Sequence, residues 1–428
     1  MVKVVVVGGG WAGSSASMAA VKAGAEVVLL ERTDMLLGTG LVGGIMRNNG
    51  RFTVAEESIA LGAPEMFEAV DKVARHRNID FPGHKHATLY DVSKIEPEVR
   101  RILQEAGVEI KFMTRFTDVE MAGNRIGAVK TENAGTIEGD VFIDTTGSAG
   151  PQGNCTRYGN GCAMCILRCP SFGPRVSVAG RAGVQELMGK KADGSIGAMS
   201  GSCKLHKESL SDKIVDELNR TGVCVVPIPK ELQKKGVLEK KACQQYALPE
   251  FAENIILLDT GHAKLMTSFY PLEILRKIPG FENARFEDPY AGGVGNSMRY
   301  LALSPRSNEL KVEGLENLFC AGEKAGPLVG HTEAIVTGCL AGHNAVRYGL
   351  GMELLTLPGE LAIGDAIAYV GKQMKTEDGL KYKYTFSGSV YFNRMLELGL
   401  YTTDVAAIRA KVEKLGLAGV YAKKLHGK

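Results

Sequence analysis

Short apolar runs alternate with helix-like segments at the start of the chain. Residues 2 to 7, VKVVVV, form an almost unbroken β-branched run, and residues 26 to 31, EVVLLE, repeat the pattern after the small-residue segment SSASMAAVKAGA. Continuous apolar runs of this length are typical of parallel strands that are buried on both faces. The pattern therefore predicts a strand, a helix and a second strand, in a fold of the α/β class.

Further elements are predicted along the rest of the chain. GDVFIDTTG, residues 139 to 147, predicts a strand, and VCVVPI and NIILLD predict two more in the middle of the chain. Residues 332 to 348 predict a long helix, and ELAIGDAIAYVGKQM and TTDVAAIRAKVEKL predict helices in the tail. The chain is long enough for two or three domains.

A glycine motif lies between the first predicted strand and helix. Gly8, Gly10 and Gly13 have G-x-G-x-x-G spacing, in which the first glycine allows a tight turn and the second lets a pyrophosphate approach the backbone. The helix N-terminus offers unpaired N–H groups to the anion. Glu31 ends the second strand, where an acid can hydrogen-bond the adenosine ribose. These residues predict a site for FAD or NAD.

A second glycine-rich stretch, GTGLVGGIMRNNG, occupies residues 38 to 50. Its glycines, Gly44 among them, would let the backbone approach a flavin or a substrate. Arg47, Asn48 and Asn49 add donors for an anion or for the flavin carbonyls. We interpret the stretch as a cofactor contact, and the alternative is an irregular turn with solvated polar residues.

Two later stretches select FAD by resemblance. GDVFIDTTG and LENLFCAGEKAGPLVGHTEAIVTGCLAGHNAV resemble flavin-contacting segments of the glutathione-reductase-like superfamily. The resemblance implies that Glu323 binds the ribityl chain and that the following helix points its N-terminus at the flavin N1/O2 edge. A helix N-terminus stabilises the negative charge of reduced flavin. His331 opens this helix and is predicted to donate to flavin or substrate.

A closer resemblance covers roughly residues 278 to 346 and the first 45 residues. IPGFENARF, LFCAGEKAG, GHTEA and TGCLAGHNA are similar to GidA-type tRNA uridine-modification flavoproteins and to folate- and flavin-dependent tRNA uracil methyltransferases. Those families carry glutamine where Glu323 stands, and GidA-type proteins have a cysteine in the first flavin-contacting loop. No cysteine precedes Cys155 in this chain. LYDVSKIEPEVRRILQEAGVEIKF also resembles a broad group of FAD-dependent oxidoreductases with varied substrates.

These resemblances imply a Rossmann-like, three-layer FAD-binding domain built from residues 1–154 and 291–350. An inserted α+β substrate domain is predicted at 155–290 and a C-terminal helical cap at 351–428. The residues predicted to bind FAD lie at glycine turns, strand ends and one helix: Gly8, Gly10, Gly13, Glu31, Arg32, Gly44, Gly147, Gly322, Glu323 and Gly338.

Four cysteines lie close together in NCTRYGNGCAMCILRCP. Cys155, Cys162, Cys165 and Cys169 include the spacing C-x2-C-x3-C-P, which overlaps the end of the bacterial ferredoxin pattern and suggests a [4Fe–4S] ligand set. Zinc can use the same thiolates. Alternatively, Cys162 and Cys165 form a redox-active dithiol that exchanges electrons with flavin, or all four are inert packing residues. These alternatives stay open at the level of sequence.

The charge and the apolar content of the chain limit the kinds of binding partner that we expect. The formal charge of +3 and the 11 Lys/Arg against 8 Asp/Glu in the tail are too balanced to favour RNA. No apolar run reaches membrane-spanning length, so we expect a cytoplasmic protein and, in addition, a homo-oligomer. We predict an FAD-dependent oxidoreductase with a small-molecule substrate or a protein electron partner. Its catalytic candidates are Cys162, Cys165 and His331, and the alternatives are a tRNA-modifying flavoenzyme or a flavin/iron–sulfur electron-transfer subunit.

Overall fold

The structure is a computed structural model that describes residues 1–147, 169–199, 202–233, 248–267, 270–287 and 298–426. The strands in chain order are β1 (Lys3–Val7), β2 (Glu26–Leu30), β3 (Ile45–Met46), β4 (Ala74–Phe81), β5 (His84–Tyr90), β6 (Glu109–Lys111), β7 (Phe116–Ala122), β8 (Arg125–Thr131), β9 (Thr136–Glu138), β10 (Val141–Asp144), β11 (Leu187–Met188), β12 (Ala198–Met199), β13 (Cys203–Leu205), β14 (Val223–Pro227), β15 (Asn254–Asp259), β16 (Ala263–Leu265), β17 (Met298–Arg299), β18 (Ala302–Leu303) and β19 (Leu318–Cys320).

The α-helices of the same residues are α1 (Trp11–Lys22), α2 (Gly50–Ala60), α3 (Glu65–Lys72), α4 (Ile95–Glu105), α5 (Cys169–Phe172), α6 (Val178–Arg181), α7 (Asp212–Thr221), α8 (Glu250–Glu253), α9 (Leu272–Leu275), α10 (His331–Gly349), α11 (Ala362–Gln373), α12 (Ser389–Glu397) and α13 (Val405–Lys414).

Five parallel strands form the central sheet, in the order β19-β10-β1-β2-β6. In the middle of the sheet, Val5 lies opposite Phe142 on one side and Val28 on the other. Residues 4 to 7 are almost completely buried, as expected for a strand with both faces covered. The chain builds the sheet outward from β1 in both directions, so the strand order reverses between β1 and β10. Such a reversal opens a crevice at the carboxyl ends of the strands.

Helices α1 and α10 pack backbone to backbone beside this sheet. A Cβ atom at Gly338 would overlap the carbonyl oxygen of Ala12, and one at Gly342 would overlap that of Ala16. Only glycine at these two positions lets the helices approach so closely. The N-termini of both helices are thereby brought to the crevice.

A second sheet has a core of its own. Strands β13, β16, β15 and β14 form an antiparallel sheet in that order, and its buried apolar residues lie between 203 and 284. The small sheet β3-β5-β4 packs against it through Leu89 and Leu258. The predicted domain boundaries at 155 and 290 lie outside the described residues, so they stay predictions.

The carboxyl-terminal region is helical and wraps around α2. The carboxylate of Glu57 accepts hydrogen bonds from the backbone N–H groups of Ala362 (2.9 Å) and Ile363 (3.2 Å), so a side chain of α2 caps the start of α11. No helix in the part of the chain that the structure describes is long and apolar enough to cross a membrane. The predicted α/β fold class, with its parallel sheet and helical carboxyl-terminal region, is confirmed.

Candidate functional site

A cleft of about 1220 Å³, including its solvent-open part, lies at the carboxyl ends of the parallel strands. Residues of the predicted glycine motif, of both strand ends and of the start of α10 line it together. Of the predicted cofactor-binding residues, those that line the cleft are Gly8, Gly10, Glu31, Arg32, Gly147, Gly322 and Glu323. A cleft in this position of an open α/β sheet is where dinucleotides bind.

The three motif glycines have different structural roles. Gly8 has φ +105°, and a Cβ atom there would lie 2.5 Å from the carbonyl oxygen of Thr145. At Gly13 a Cβ atom would overlap the carbonyl oxygen of Gly8, so this glycine brings α1 against β1. At Gly10 a Cβ atom would meet nothing within 4 Å, because this residue faces the open cleft. A ligand can therefore approach the backbone at Gly10.

The start of α1 is suited to an anion. Its N-cap residue is Gly10, which has no side chain to accept hydrogen bonds from the first backbone N–H groups of the helix. Trp11, the only tryptophan of the chain, lines the cleft, and its ring lies edge-on to that of Tyr90, with centroids 6.3 Å apart. The residues present therefore fit the diphosphate of FAD.

Glu31 is held in place by the turn it faces. Its carboxylate accepts hydrogen bonds from the backbone N–H groups of Gly9 and Thr33, both at 2.8 Å, and only 6% of the residue is exposed. Each carboxylate oxygen retains acceptor capacity for a ribose hydroxyl. The neighbouring Arg32 lines the cleft and donates to the carbonyl oxygen of Gly173.

Glu323 is positioned by a buried neighbour. It lies in the 3-10 turn Gly322–Lys324, which follows β19, and it lines the cleft. Lys324 is completely buried, forms an ion pair with Glu186 and donates to the hydroxyl of Ser177 at 3.0 Å. The buried lysine anchors the turn, so Glu323 faces the cleft.

His331 is the first residue of α10 and lines the other end of the cleft. Its Nδ1 lies 3.2 Å from the hydroxyl oxygen of Tyr90, and its ring centroid lies 6.0 Å from that of Trp11. A Cβ atom at Gly43 would overlap the imidazole ring. Three elements thus hold the ring. Sequence reasoning missed Tyr90 and Gly43 as its neighbours, because no local pattern connects them to residue 331.

The second glycine-rich stretch divides into two parts. Residues 38 to 41 line the cleft, but Gly44 does not, since a Cβ atom there would overlap the side chain of Thr260. Arg47 forms ion pairs of 2.7 Å with Glu56 and with Asp71. In the same way, Asn48 Nδ2 lies 2.9 Å from His84 Nδ1, and Asn49 Nδ2 donates to the carbonyl of Ser387 at 2.8 Å. These side chains contact protein groups rather than line the cleft.

A buried ion pair lies behind His331. Arg51 Nε donates to Glu333 Oε1 at 3.0 Å, and neither side chain is more than 6% exposed. The same carboxylate oxygen accepts from the hydroxyl of Thr385 (2.7 Å) and the N–H of Phe386 (2.9 Å). This network joins the start of α10 to α2 and to the carboxyl-terminal region. Its partners are far apart in sequence, and no pattern along the chain indicated them.

The second sheet contacts the cleft through Lys264. The amine of this buried lysine donates to the carbonyl oxygen of Val42, the last residue of the turn that lines the cleft, and to the hydroxyl of Ser202 at 2.7 Å. Burial lowers the pKa of Lys264 to about 7. The contact secures the cleft turn to the second sheet.

The cysteine cluster lies mostly outside the described residues. Cys155, Cys162 and Cys165 are outside them, and Cys169 opens α5 without a described side chain. Among the described residues, no group of three or more His, Cys, Asp or Glu side chains could hold a metal ion. Burial raises the pKa of Cys203, Cys320 and Cys339 to about 12, so these thiols stay protonated.

The fold and the cleft define a dinucleotide-binding α/β protein. The family model described as FAD dependent oxidoreductase matches residues 3–150, and the one described as Glucose inhibited division protein A matches residues 261–353. The two matched segments contribute the two sides of the cleft. The predicted resemblance to FAD-dependent oxidoreductases, with a GidA-like carboxyl-terminal part, is confirmed.

Curated relatives match over part of their length. The chain is 31% identical to the methylenetetrahydrofolate–tRNA-(uracil-5-)-methyltransferase TrmFO of Desulfotalea psychrophila over 123 residues. The alignment covers 29% of this chain and 27% of that protein. It is 30% identical over 135 residues to the tRNA uridine 5-carboxymethylaminomethyl modification enzyme MnmG of Chlorobaculum tepidum, 31% of this chain and 20% of that protein. The alignments thus span about a quarter of these relatives or less.

A solved structure shows the same fold over almost the whole chain. Aquifex aeolicus GidA, in its form II crystal, superposes with a TM-score of 0.67 and 17% sequence identity, and the match covers 96% of this chain and 76% of that one. At this identity the likeness concerns the fold.

Proposed function

We propose that this protein binds FAD in the cleft and transfers hydride or electrons through it, to or from a small-molecule substrate or a protein electron partner. One observation carries the proposal. Gly10 faces open cleft at the uncapped start of α1, while the carboxylate of Glu31 is held at the end of β2. These are the two groups that a dinucleotide needs at its diphosphate and its adenosine ribose.

Different residues of the chain would bind different parts of the cofactor. The backbone N–H groups at the start of α1 would hold the diphosphate, and Glu31 would accept hydrogen bonds from the ribose. Glu323 would bind the ribityl chain. Bound FAD supplies the redox chemistry.

The start of α10 would face the flavin ring. Its backbone N–H groups and helix dipole stabilise negative charge near its first turn, which favours the reduced cofactor. His331 adds a side-chain donor or acceptor at the same place, held by Tyr90. Residues 38 to 41 and the Lys264 contact would close the cleft on the side of the second sheet.

A glycine substitution tests the cleft directly. In Gly10→Val the new Cβ meets no protein atom within 4 Å and the side chain enters the space proposed for the diphosphate, whereas the Cβ of Gly359→Val lies in open space elsewhere. FAD content and FAD affinity of the purified chains would be measured by absorbance and fluorescence. We expect Gly10→Val to bind FAD at least about tenfold more weakly, since one hydrogen bond to a charged group contributes about 1.5–3 kcal/mol.

The control separates the proposal from a general loss of stability. Gly359→Val should bind FAD like the unsubstituted chain. Equal affinity of all three chains would place FAD elsewhere, and an unsubstituted chain that takes up no FAD on reconstitution would refute the proposal.

Modification of tRNA is a second candidate, and the matches to TrmFO and MnmG favour it. An RNA-binding flavoenzyme would bind tRNA with an affinity that falls steeply as salt is raised, because phosphate contacts release counterions. Binding of unmodified tRNA measured at several salt concentrations tests this candidate. Affinity no tighter than that for a neutral polymer control would exclude it.

An iron–sulfur electron-transfer role depends on the cysteine cluster. The comparisons and the described residues give it no support. Iron, sulfide, zinc and flavin would be measured per chain in protein purified without oxygen. Near-stoichiometric iron and sulfide would assign Cys155, Cys162, Cys165 and Cys169 as ligands. Flavin without metal would leave Cys162 and Cys165 as thiol or packing residues. The cytoplasmic location and the homo-oligomer stay predictions.

A further inference from the structure

We propose that Tyr90 is a positioning residue that holds His331 in the tautomer with its proton on Nε2. The inference deepens the proposed function and rests on it, because it assigns a defined chemical state to the side chain at the flavin end of the cleft. Tyr90 is the last residue of β5, it is completely buried, and its hydroxyl lies 3.2 Å from Nδ1 of His331.

The direction of this hydrogen bond follows from the two groups. Burial raises the pKa of Tyr90 well above its usual value, so the phenol keeps its proton. A phenol oxygen is a weaker acceptor than an imidazole nitrogen, since its lone pair is delocalised into the ring. The hydroxyl of Tyr90 therefore donates to Nδ1. The neutral imidazole then carries its own proton on Nε2.

Close packing limits the rotation of the His331 ring. Gly43 lies against it so closely that a Cβ atom would overlap Cε1, and Trp11 lies on another side with its ring tilted by 35°. Gly43 has φ −67° and ψ −99°, outside the α and β regions, so the backbone conformation and the imidazole ring both disfavour a side chain there.

The consequence concerns what His331 can do in the cleft. The two nitrogens of an imidazole ring point in nearly opposite directions, so Nε2 is directed away from Tyr90. With its proton on Nε2, the neutral ring is a hydrogen-bond donor on that side. It would bind a carbonyl oxygen or an unprotonated nitrogen of the flavin or substrate. The opposite tautomer would present an acceptor there instead.

Nitrogen NMR of the full chain reads the tautomer without turnover. In protein labelled with ¹⁵N histidine and loaded with FAD, the protonated and unprotonated nitrogens of a neutral ring give well-separated resonances. The His331 pair is assigned by its loss in His331→Gln. We expect the Nε2-protonated tautomer, and a mixture of both tautomers in Tyr90→Phe. Tyr391→Phe removes the hydroxyl of another buried tyrosine, which does not line the cleft and binds the carbonyl of Ala362, and should leave these resonances unchanged.

A second pair of variants tests the steric part and replaces Tyr90→Phe if that variant fails to fold. Gly43→Ala should displace the ring, shift the His331 resonances and lower the thermal midpoint. In a His331→Ala background, Gly43→Ala should lower the thermal midpoint less than it does in the wild-type chain, because the overlapping ring is gone and only the backbone cost is left. Additive losses would overturn the assigned contact.

The outcomes separate this inference from the proposed function. A wild-type ring with its proton on Nδ1, or a Tyr90→Phe ring that keeps one tautomer on Nε2, overturns the inference even if FAD binds. Failure of the chain to bind FAD overturns the proposed function, while the tautomer is still readable in the FAD-free protein.

Discussion

Two histidines of α10 have nearly the same local sequence and opposite surroundings. His331 follows Gly330 and His343 follows Gly342, about three helical turns further on. His331 lines the cleft and contacts the hydroxyl of Tyr90. His343 is completely buried, and neither of its nitrogens has a hydrogen-bond partner among the described residues. Its ring packs edge-on against Tyr421, with centroids 5.3 Å apart.

The preceding glycines are required for different reasons as well. At Gly330, which has φ +149°, a Cβ atom would overlap the Arg51 and Glu333 side chains. At Gly342 it would overlap the carbonyl oxygen of Ala16 in α1. One glycine thus makes room for a polar network and the other for a helix backbone. The same dipeptide therefore carries no information about which histidine faces a ligand.

The largest effect is expected at the His331 end, from removal of the buried charge partner. Arg51→Met leaves the buried carboxylate of Glu333 without its guanidinium, and loss of one partner of a buried pair costs about 3–5 kcal/mol. Urea unfolding followed by circular dichroism measures the free energy of unfolding. The double variant Arg51→Met/Glu333→Gln should recover most of the loss. An Arg51→Met chain as stable as wild type would show that the network contributes little.

At the His343 end, a pH-dependent effect is expected. Burial lowers the pKa of His343 to about 4 from its ordinary value of 6.5, because the charged ring is poorly solvated there. The unfolded chain thus takes up a proton more readily than the folded one. The contribution of the neutral His343 ring to the free energy of unfolding is fully present above pH 6.5 and is lost as the pH falls toward about 4. The free energy of unfolding should therefore fall by about 2 kcal/mol between about pH 7 and pH 5 from this group.

Substitution by leucine isolates this contribution. His343→Leu removes the titrating ring and leaves no described hydrogen-bond partner unsatisfied. Its free energy of unfolding should change less with pH than that of wild type over this range. An unchanged pH dependence would show that other groups cause the acid loss.

The smallest effect is expected from the glycine before His343. Gly342→Ala places a methyl group on the carbonyl oxygen of Ala16, and overpacking of this kind costs about 1–3 kcal/mol. The better helix propensity of alanine returns about 1 kcal/mol. We expect a net loss of about 1 kcal/mol in urea unfolding. Gly359→Ala, in open space, should be neutral, and a stabilised Gly342→Ala chain would contradict the tight contact between α1 and α10.

Much of the dinucleotide end of the site was predictable from local patterns. The apolar runs predicted β1, β2 and β10 to within three residues at each end, and Gly8, Gly10, Glu31 and Glu323 line the cleft that these strands form. Each of these residues lies within three residues of the end of a strand. Because the carboxyl ends of parallel strands meet at one edge of a sheet, a residue's place after its strand is enough to locate it.

The neighbours of His331 were not predictable in this way. Tyr90, Gly43 and Arg51 come from three different elements, and Gly44 lies in a glycine-rich stretch but packs against Thr260. A glycine shows that something approaches the backbone closely. It does not show whether that is a ligand, a ring or another chain segment.

The sequence by itself determined the α/β class, the position of the cleft and the groups at its dinucleotide end, because short-range hydrophobic periodicity and strand-end positions specify these. Only the tertiary structure decided which histidine faces the cleft, which glycines face open space and which charges are paired. Those outcomes depend on contacts between residues far apart in the chain, and such contacts form only when the sheet, α10 and the carboxyl-terminal helices pack together.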